Sequence, residues 1–341
     1  MKPSLKHIAE HLGLSKTTVS WVLSGQAEQK NISRATAEKV LAYAASLHYQ
    51  PNMIARSLNT GETKTIGLIL PSISDTFYSE VAREIESRAR NQGYSLMISS
   101  SESDIDREDE IIRLFKAKRV DGIILAPTKR SKVEVQRLID EGYPLTTIDR
   151  YFPELNASYI IINNRDSCYM LTKHLINKGC KKIALLTTNS YLTTMSQRRE
   201  GVEDALRESG LQLDPRLYGE VDFAGYEKNI HRVLNNIFTE VPDVDGFFFT
   251  THILALEAFQ YFYEKGIKPD FEMACIHEVP IFKVLAPQIN VARMPVGEIG
   301  KTAVNSLIEQ MEDAKGKAKS RKKQPYEPKR VMLSCSLEFR S

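Results

Sequence analysis

The chain reads as an α/β protein with a small helical head of helix-turn-helix type, a short connecting helix, and a two-lobed body of parallel sheets flanked by helices. Three observations predict this. Apolar residues recur at helical spacing over the first 49 residues. From residue 65 onward, short apolar runs alternate with amphipathic stretches in a βαβα rhythm. That rhythm restarts after YIIINN (159–164), so the body contains two similar halves. At 341 residues the chain is long enough for two or three domains.

Leu5, Ile8, Ala9 and Leu12 predict a first helix over 4–12, closed by Gly13. Ser15 can cap a second helix, and the tight glycine turn between the two gives the helix-turn-helix signature. Ser33 can cap a third helix over 34–47, with Ala37, Val40, Leu41 and Ala44 as its apolar stripe. At 100° per residue, Val19, Val22 and Leu23 share one side of the second helix. Lys16, Thr17, Ser20, Trp21 and Ser24 share the other. Such an outward face can meet base edges and phosphates. It can also be a solvated helix face, with Trp21, the only tryptophan in the chain, lying on a neighbouring part of the protein. Pro51 opens a short helix, MIARSL, which Gly61 closes. Alone such a helix is marginal and calls for a partner. Its Leu58 is an apolar tip able to enter a minor groove.

Charge supports a polyanionic partner at this end. Residues 1–60 hold seven Lys and Arg against three Glu, in a chain whose formal net charge is only +3. A second basic run, KGKAKSRKKQ (315–324), reads as a solvated linker. The composition, 42% hydrophobic and 26% charged, is that of a soluble globular protein. Cys168, Cys180, Cys275 and Cys335 are dispersed, which argues against a zinc site or disulfide framework and fits a reducing compartment. The opening MKPSLKHIAEHLG has no apolar core, so no signal peptide is expected. No apolar run approaches the ~18 residues of a membrane span.

In the body, strands are expected at 65–71, 94–100, 120–127, 144–150, 159–164, 181–189, 217–222, 245–251, 271–277, 289–296 and 331–340. Helices are expected near 77–91, 106–117, 131–140, to Lys178, 197–209, 225–238, 253–264 and 297–311. The strand ends at PSIS, SSSE, APT, IDR, TNS and TTH should line a cleft between the lobes, where open α/β sheets bind ligands. There is no phosphate-loop GKS/T, no GxGxxG after a strand, no GxSxG and no HExxH. The seven histidines show no metal spacing. No catalysis, cofactor or metal is therefore expected.

Two stretches carry a specific resemblance. LKHIAEHLGLSKTTVSWVLSG, followed by ISRATAEKVLAYAASLHYQPNMIARSLNTG, resembles the headpiece and hinge of the LacI/GalR family of bacterial transcriptional regulators. The body pieces TIGLILPSISDTFYSEVAREIE, VDGIILAPT, LTTIDR, HLINKGCKKIALL, SQRREGVEDAL and SLEFRS resemble that family's periplasmic-binding-protein-like effector core. The resemblance implies a headpiece over 1–49, a hinge helix over 50–61 and a core over 62–341. Within the core it implies an N-lobe of about 62–162 and 291–325, and a C-lobe of about 163–290 and 326–341.

By matching positions, Lys16, Thr17 and Ser20 take groove-facing roles, Leu58 the minor-groove wedge, and Asn52 and Ala55 hinge positions. Lys6, Ser15, Thr18, Trp21, Asn31 and Arg56 complete the candidate DNA-binding set. Trp21 departs from the family pattern, which usually has arginine there. An indole offers one N–H and an apolar face. The expectation is packing on the sugar-phosphate edge or a thymine methyl, with a weaker salt dependence than arginine confers.

For the effector cleft, the resemblance selects Ser72, Asp75 and Phe77 after the first strand, Asp149, Arg198 and the aromatic Phe223. Arg198 could grip hydroxyls or a carboxylate. Asp149 could equally cap local backbone, and Phe223 could equally be core. His252 and His277 stand where the family usually has aspartates. Imidazoles can donate, accept or charge, which favours an anionic ligand over an ordinary sugar pose. A neutral sugar and a cleft with no effector remain alternatives. The implied protein is a cytoplasmic, nucleoid-associated transcriptional regulator, a repressor by default with activation left open. It binds a pseudopalindromic operator as a homodimer, with a higher oligomer left open, under control of a sugar, sugar acid or related metabolite. A solute-binding module and an enzyme are the competing classes; the basic head argues against the first and the missing catalytic motifs against the second.

Overall fold

The computed structural model of the chain describes residues 4–49, 57, 61–188, 193–222, 226–319 and 326–340. Contacts divide it into two compact units, residues 1–63 and 64–341.

The first unit holds α1 (Leu5–His11), α2 (Lys16–Leu23) and α3 (Arg34–Ser46). Each begins on a serine, Ser4, Ser15 and Ser33, whose hydroxyl accepts from a backbone N–H of the first turn. These caps satisfy donors that short helices otherwise leave unpaired. Gly13, at φ 61°, makes the left-handed turn between α1 and α2. Ile8, Ala9, Val19, Val22, Val40 and Ala44 are buried together. Leu41, expected on the inner stripe of α3, is instead 51% exposed. In α3 the inner face is filled by Val40 and Ala44, and Leu41 is one residue past Val40, turned by 100° towards solvent.

The second unit contains two six-stranded sheets. The first sheet comprises β1 (Thr65–Leu70), β2 (Ser95–Ser100), β3 (Gly122–Leu125), β4 (Leu145–Ile148), β5 (Ser158–Ile162) and β11 (Arg330–Leu333), in the order β11-β5-β4-β3-β1-β2. All its pairs are parallel. The second sheet comprises β6 (Ile183–Thr188), β7 (Tyr218–Val221), β8 (Gly246–Phe249), β9 (Glu272–Ile276), β10 (Asn290–Arg293) and β12 (Ser336–Glu338), in the order β12-β10-β9-β8-β6-β7. Only β10 and β12 pair antiparallel. The connecting helices are α4 (Thr76–Asn91), α5 (Ile105–Ala117), α6 (Lys132–Asp140), α7 (Asn164–Asn177), α8 (Thr193–Glu208), α9 (Tyr226–Glu240), α10 (His252–Lys265), α11 (Phe282–Leu285) and α12 (Val296–Lys319).

Inner strands of such sheets are covered on both faces, so they read as unbroken apolar runs. IALLTT of β6 is buried throughout, and Phe247, Phe248 and Phe249 of β8 are fully buried. The sequence Val-Asp-Gly occurs once in each lobe, before β3 and at the start of β8. Asp121 accepts from Lys64 N–H at 2.8 Å, and Asp245 accepts from Lys181 and Lys182 N–H at 2.8 Å. The same carboxylate device ties the entry of each lobe's first strand to a neighbouring one.

The lobe boundaries differ from those expected. Asn290–Arg293 belongs to the second sheet, not to the first lobe. Residues 331–340 are not one strand: Arg330–Leu333 joins the first sheet and Ser336–Glu338 the second. The chain therefore crosses between lobes after β5, after β10, and between β11 and β12. Helix α12 runs on to Lys319, past the expected end at 311, and takes in the start of the basic run.

Helices α7 and α8 pack closely at Gly201. A Cβ there would lie 2.1 Å from the Arg165 carbonyl oxygen. Gly201→Ala is expected to destabilise the second unit by about 1–3 kcal/mol through forced separation of the helices. Urea unfolding followed by circular dichroism measures this. An unchanged midpoint would show that the helix contact yields without cost.

Candidate functional site

The candidate functional residues fall on two surfaces. The first is the exposed face of α2. Lys16, Thr17 and Ser20 are exposed, whereas Val19 and Val22 are buried. Ser15 and Thr18 serve the helix start: their hydroxyls lie 2.8 Å apart and Thr18 N–H donates to Ser15 Oγ at 3.0 Å. Lys6 pairs with Glu10 at 3.6 Å on the surface of α1, an exposed contact of little energetic weight. Asn31 is exposed in the left-handed region, at φ 52°. Trp21 is half-buried, and Lys30 Nζ stands 5.2 Å from its ring centroid. The indole thus supports a cation that the sequence pattern did not place there. Asn52, Ala55, Arg56 and Leu58, together with the rest of the expected hinge helix apart from Ser57 and Gly61, lie outside the described residues.

The second surface is a cavity of about 120 Å³ at the carboxyl ends of the two sheets. Asp75, Phe77, Asp149, Arg198, His252 and His277 all line it. Ser72 does not; its hydroxyl bonds Ser74 at 2.9 Å instead. Phe223 lies outside the described residues.

Two lining residues occupy equivalent places. Asp149 follows β4 and His277 follows β9, each the third strand in its sheet order. Both are non-glycine residues in the left-handed region, at φ 61° and 71°. Each donates its backbone N–H to the neighbouring strand, Asp149 to Ile160 at 3.0 Å and His277 to Ala292 at 2.9 Å. Left-handed backbone at such residues costs about 1–3 kcal/mol and recurs at ligand sites. Here it turns both side chains into the cavity.

The wall from the first lobe is a polar network. Asp75 caps α4, accepting from Phe77 N–H at 2.8 Å and Tyr78 N–H at 3.3 Å. Tyr78 Oη donates to Asp149 Oδ2 at 2.7 Å. Arg150 Nε is 3.6 Å from the same oxygen. Burial opposes the Arg150 charge, but Tyr78, Asp149, Glu108 and Asp75 around it outweigh that and keep it cationic. Burial also pushes the Asp75 carboxyl from 3.8 up to about 6, against its two backbone N–H bonds.

The wall from the second lobe is Arg198 and the two histidines. Arg198 donates from Nε to Asn164 Oδ1 at 2.7 Å and from Nη1 to the Thr250 carbonyl at 2.6 Å. It therefore ties α7, α8 and the end of β8 together as well as facing the cavity. His252 Nε2 is 3.7 Å from Asp75 Oδ1, across the cleft. His277 Nε2 is 3.7 Å from Glu80 Oε2, and neither of its ring nitrogens has a hydrogen-bond partner. The two imidazoles meet edge to face at 5.2 Å. Burial lowers His252 to about 4 and His277 to about 3, the latter helped by His252 and Arg198. Both are neutral near pH 7, so each offers one donor and one acceptor rather than a positive charge. Met195, Ile276 and Met294 supply apolar lining. Tyr78 and Arg150 are additions to the expected set; each directly follows an expected residue, Phe77 and Asp149.

Asp75 gives a pH signature. A carboxyl with a raised pKa holds a proton in the fold that the unfolded chain has already released, so stability is lost as pH rises from about 4 through about 6. Asp75→Asn keeps a capping oxygen and removes the charge. It is expected to exceed the parent in stability by about 1–3 kcal/mol at pH 7.5, with no gain at pH 4, by urea unfolding. An equal increment at both pH values would contradict this assignment.

Comparison with known proteins gives a consistent picture. Residues 63–322 match the family described as periplasmic binding proteins and sugar binding domain of LacI family. Residues 4–52 match bacterial regulatory proteins, lacI family. The ribose operon repressor of Haemophilus influenzae is 30% identical over 315 residues, covering 91% of this chain and 92% of that protein. The HTH-type transcriptional repressor PurR of Haemophilus influenzae is 28% identical over 314 residues, covering 90% and 91%. The crystal structure of the Lac repressor dimer bound to operator and the anti-inducer ONPF superposes with a TM-score of 0.82 at 22% identity, covering 100% of this chain and 98% of that one.

Proposed function

The chain belongs to the LacI family of bacterial regulatory proteins, and from that premise we propose that it represses transcription by binding a pseudopalindromic operator as a homodimer, released or reinforced by a small hydroxylated metabolite. One recognition helix reads few base pairs, so two copies related by two-fold symmetry are required to specify a site. The exposed Lys16, Thr17 and Ser20 supply the contacts to base edges and phosphates. The protein acts in the cytoplasm, at the nucleoid. Among the described residues no helix is long and apolar enough to cross a membrane.

The observation that carries the effector reading is the unpartnered His277 ring, 5% exposed and facing the cavity beside His252. A ligand hydroxyl can both donate to and accept from a neutral imidazole, and it removes the cost of those unpaired nitrogens. Asp75 and Asp149 offer acceptors from the opposite wall. Arg150, Arg198 and Lys129 also line the cavity, which favours a second reading, a sugar acid or sugar phosphate. Heat of protonation separates the two. An anion beside His277 raises that group's pKa and draws in a proton, whereas a neutral sugar does not. The coupling mechanism is a population shift. The ligand bridges walls from both lobes, and it alters operator affinity only as far as it prefers one lobe arrangement.

Selection of duplexes from a random-sequence library by the full-length protein is expected to yield a pseudopalindrome. Lys16→Ala is expected to weaken its binding by about ten- to hundred-fold, the equivalent of 1–3 kcal/mol. Recovery of no common sequence would contradict the regulatory reading. Thermal-shift screening of sugars, sugar acids and nucleobases then finds the effector, and His277→Ala is expected to lower its affinity without altering operator affinity in its absence.

A further inference from the structure

We infer that Lys30, held over the indole of Trp21, is a DNA-phosphate contact, and that Trp21 is the positioning residue that aims it. The inference rests on the DNA-binding reading above and adds a residue which that reading does not use. The only tryptophan in the chain sits on the exposed side of α2, directly after Ser20 and one turn beyond Thr17. It is half-buried, and Lys30 Nζ lies 5.2 Å from its ring centroid. That distance is within the range where the negative face of an indole attracts an ammonium.

The intervening turn is built to deliver this contact. Gly25 takes the left-handed conformation after α2, at φ 74°. Gln26 N–H donates to the Trp21 carbonyl at 2.8 Å, and Lys30 N–H donates to the Gln26 carbonyl at 3.0 Å. Ala27 and Ile32 pack on the core of the first unit, and Ile32 N–H donates to the Ala27 carbonyl at 2.9 Å. Backbone bonds and two apolar anchors thus fix the stem of an exposed lysine beside the ring. Among the described residues no carboxylate forms an ion pair with Lys30.

An exposed lysine ordinarily spreads its charge over many rotamers, and ordering it on binding costs entropy. The indole face restricts that spread beforehand. It leaves the ammonium's three donors free to turn outward, since a ring face engages the cation without accepting a directed hydrogen bond. Lys16 stands in the first turn of α2 and Lys30 beyond its last turn. The exposed face that carries Thr17 and Ser20 is therefore flanked by a cation at each end. That spacing suits a helix lying in a groove between two phosphate strands.

The test is the salt dependence of binding by the full-length protein to the duplex that selection recovers. Each neutralised phosphate contributes about 0.9 to the slope of log affinity against log salt. Lys30→Gln is expected to lower the slope by about that amount per subunit. Trp21→Ala is expected to lower it similarly, Trp21→Phe to retain most of it, and Trp21→Ala in the Lys30→Gln background to change it no further. Helical circular dichroism confirms that each head is folded. An unchanged slope in Lys30→Gln overturns the inference while leaving the DNA-binding reading intact. A Trp21→Ala slope loss that persists in the Lys30→Gln background overturns the positioning role. Absence of any DNA binding by the parent protein overturns both.

Discussion

Everything in the second unit depends on one constraint: the carboxyl ends of two parallel sheets face a shared cavity and must bury polar groups there. Parallel strands present their unpaired ends and the helix starts that follow them at one edge. In this chain that edge gathers Asp75, Tyr78, Asp149, Arg150, Arg198, His252 and His277 around one cavity, with Tyr78, Asp149 and Arg150 joined by a hydrogen bond and an ion pair. Buried polar groups are stable only when partnered. The first-lobe wall meets that condition internally, through the bonds of Asp75 to its helix start and of Tyr78 to Asp149. The second-lobe wall meets it for Arg198 but leaves the His277 nitrogens unpaired.

The three chain crossings turn this local imbalance into a mechanical one. Each lobe is closed by a strand that arrives late in the chain, β11 on the first and β12 on the second. The lobes are therefore joined by short segments rather than by a single linker. Contacts across the cleft, such as His252 to Asp75 at 3.7 Å, depend on the angle between the lobes. Under the proposed function, a ligand filling the cavity sets that angle by its own preferences, and repression or release follows from which arrangement it favours.

Much of this was legible in the sequence, and the failures have physical causes. The βαβα rhythm located the body elements because buried parallel strands are unbroken apolar runs. Apolar spacing located the first head helix, and serine caps the second and third. The stretch 331–340 was read as one strand because its apolar pattern runs through Ser334 and Cys335. Only pairing partners, distant in sequence, reveal that the chain changes sheets there. Leu41 was misplaced because a small helical core has room for few residues, and Val40 and Ala44 already fill it. The cavity residues Asp75, Asp149, Arg198, His252 and His277 were selected by the family resemblance, and all five line the cavity. Tyr78 and Arg150 were missed because nothing in their spacing distinguishes a cavity-facing side chain from a surface one. Lys30 was missed because its meeting with Trp21 depends on the turn between them, which carries no periodic signal.

The central claim is that the cleft and the DNA-binding head are thermodynamically linked through one protein. Linkage is reciprocal: if the effector changes operator affinity by some factor, the operator must change effector affinity by that same factor. The most direct measurement is calorimetric titration of the effector into the full-length protein, free and saturated with operator duplex. Two different dissociation constants are expected, with a ratio equal to the effector-induced change in operator affinity. Identical effector affinities in the two titrations would contradict it.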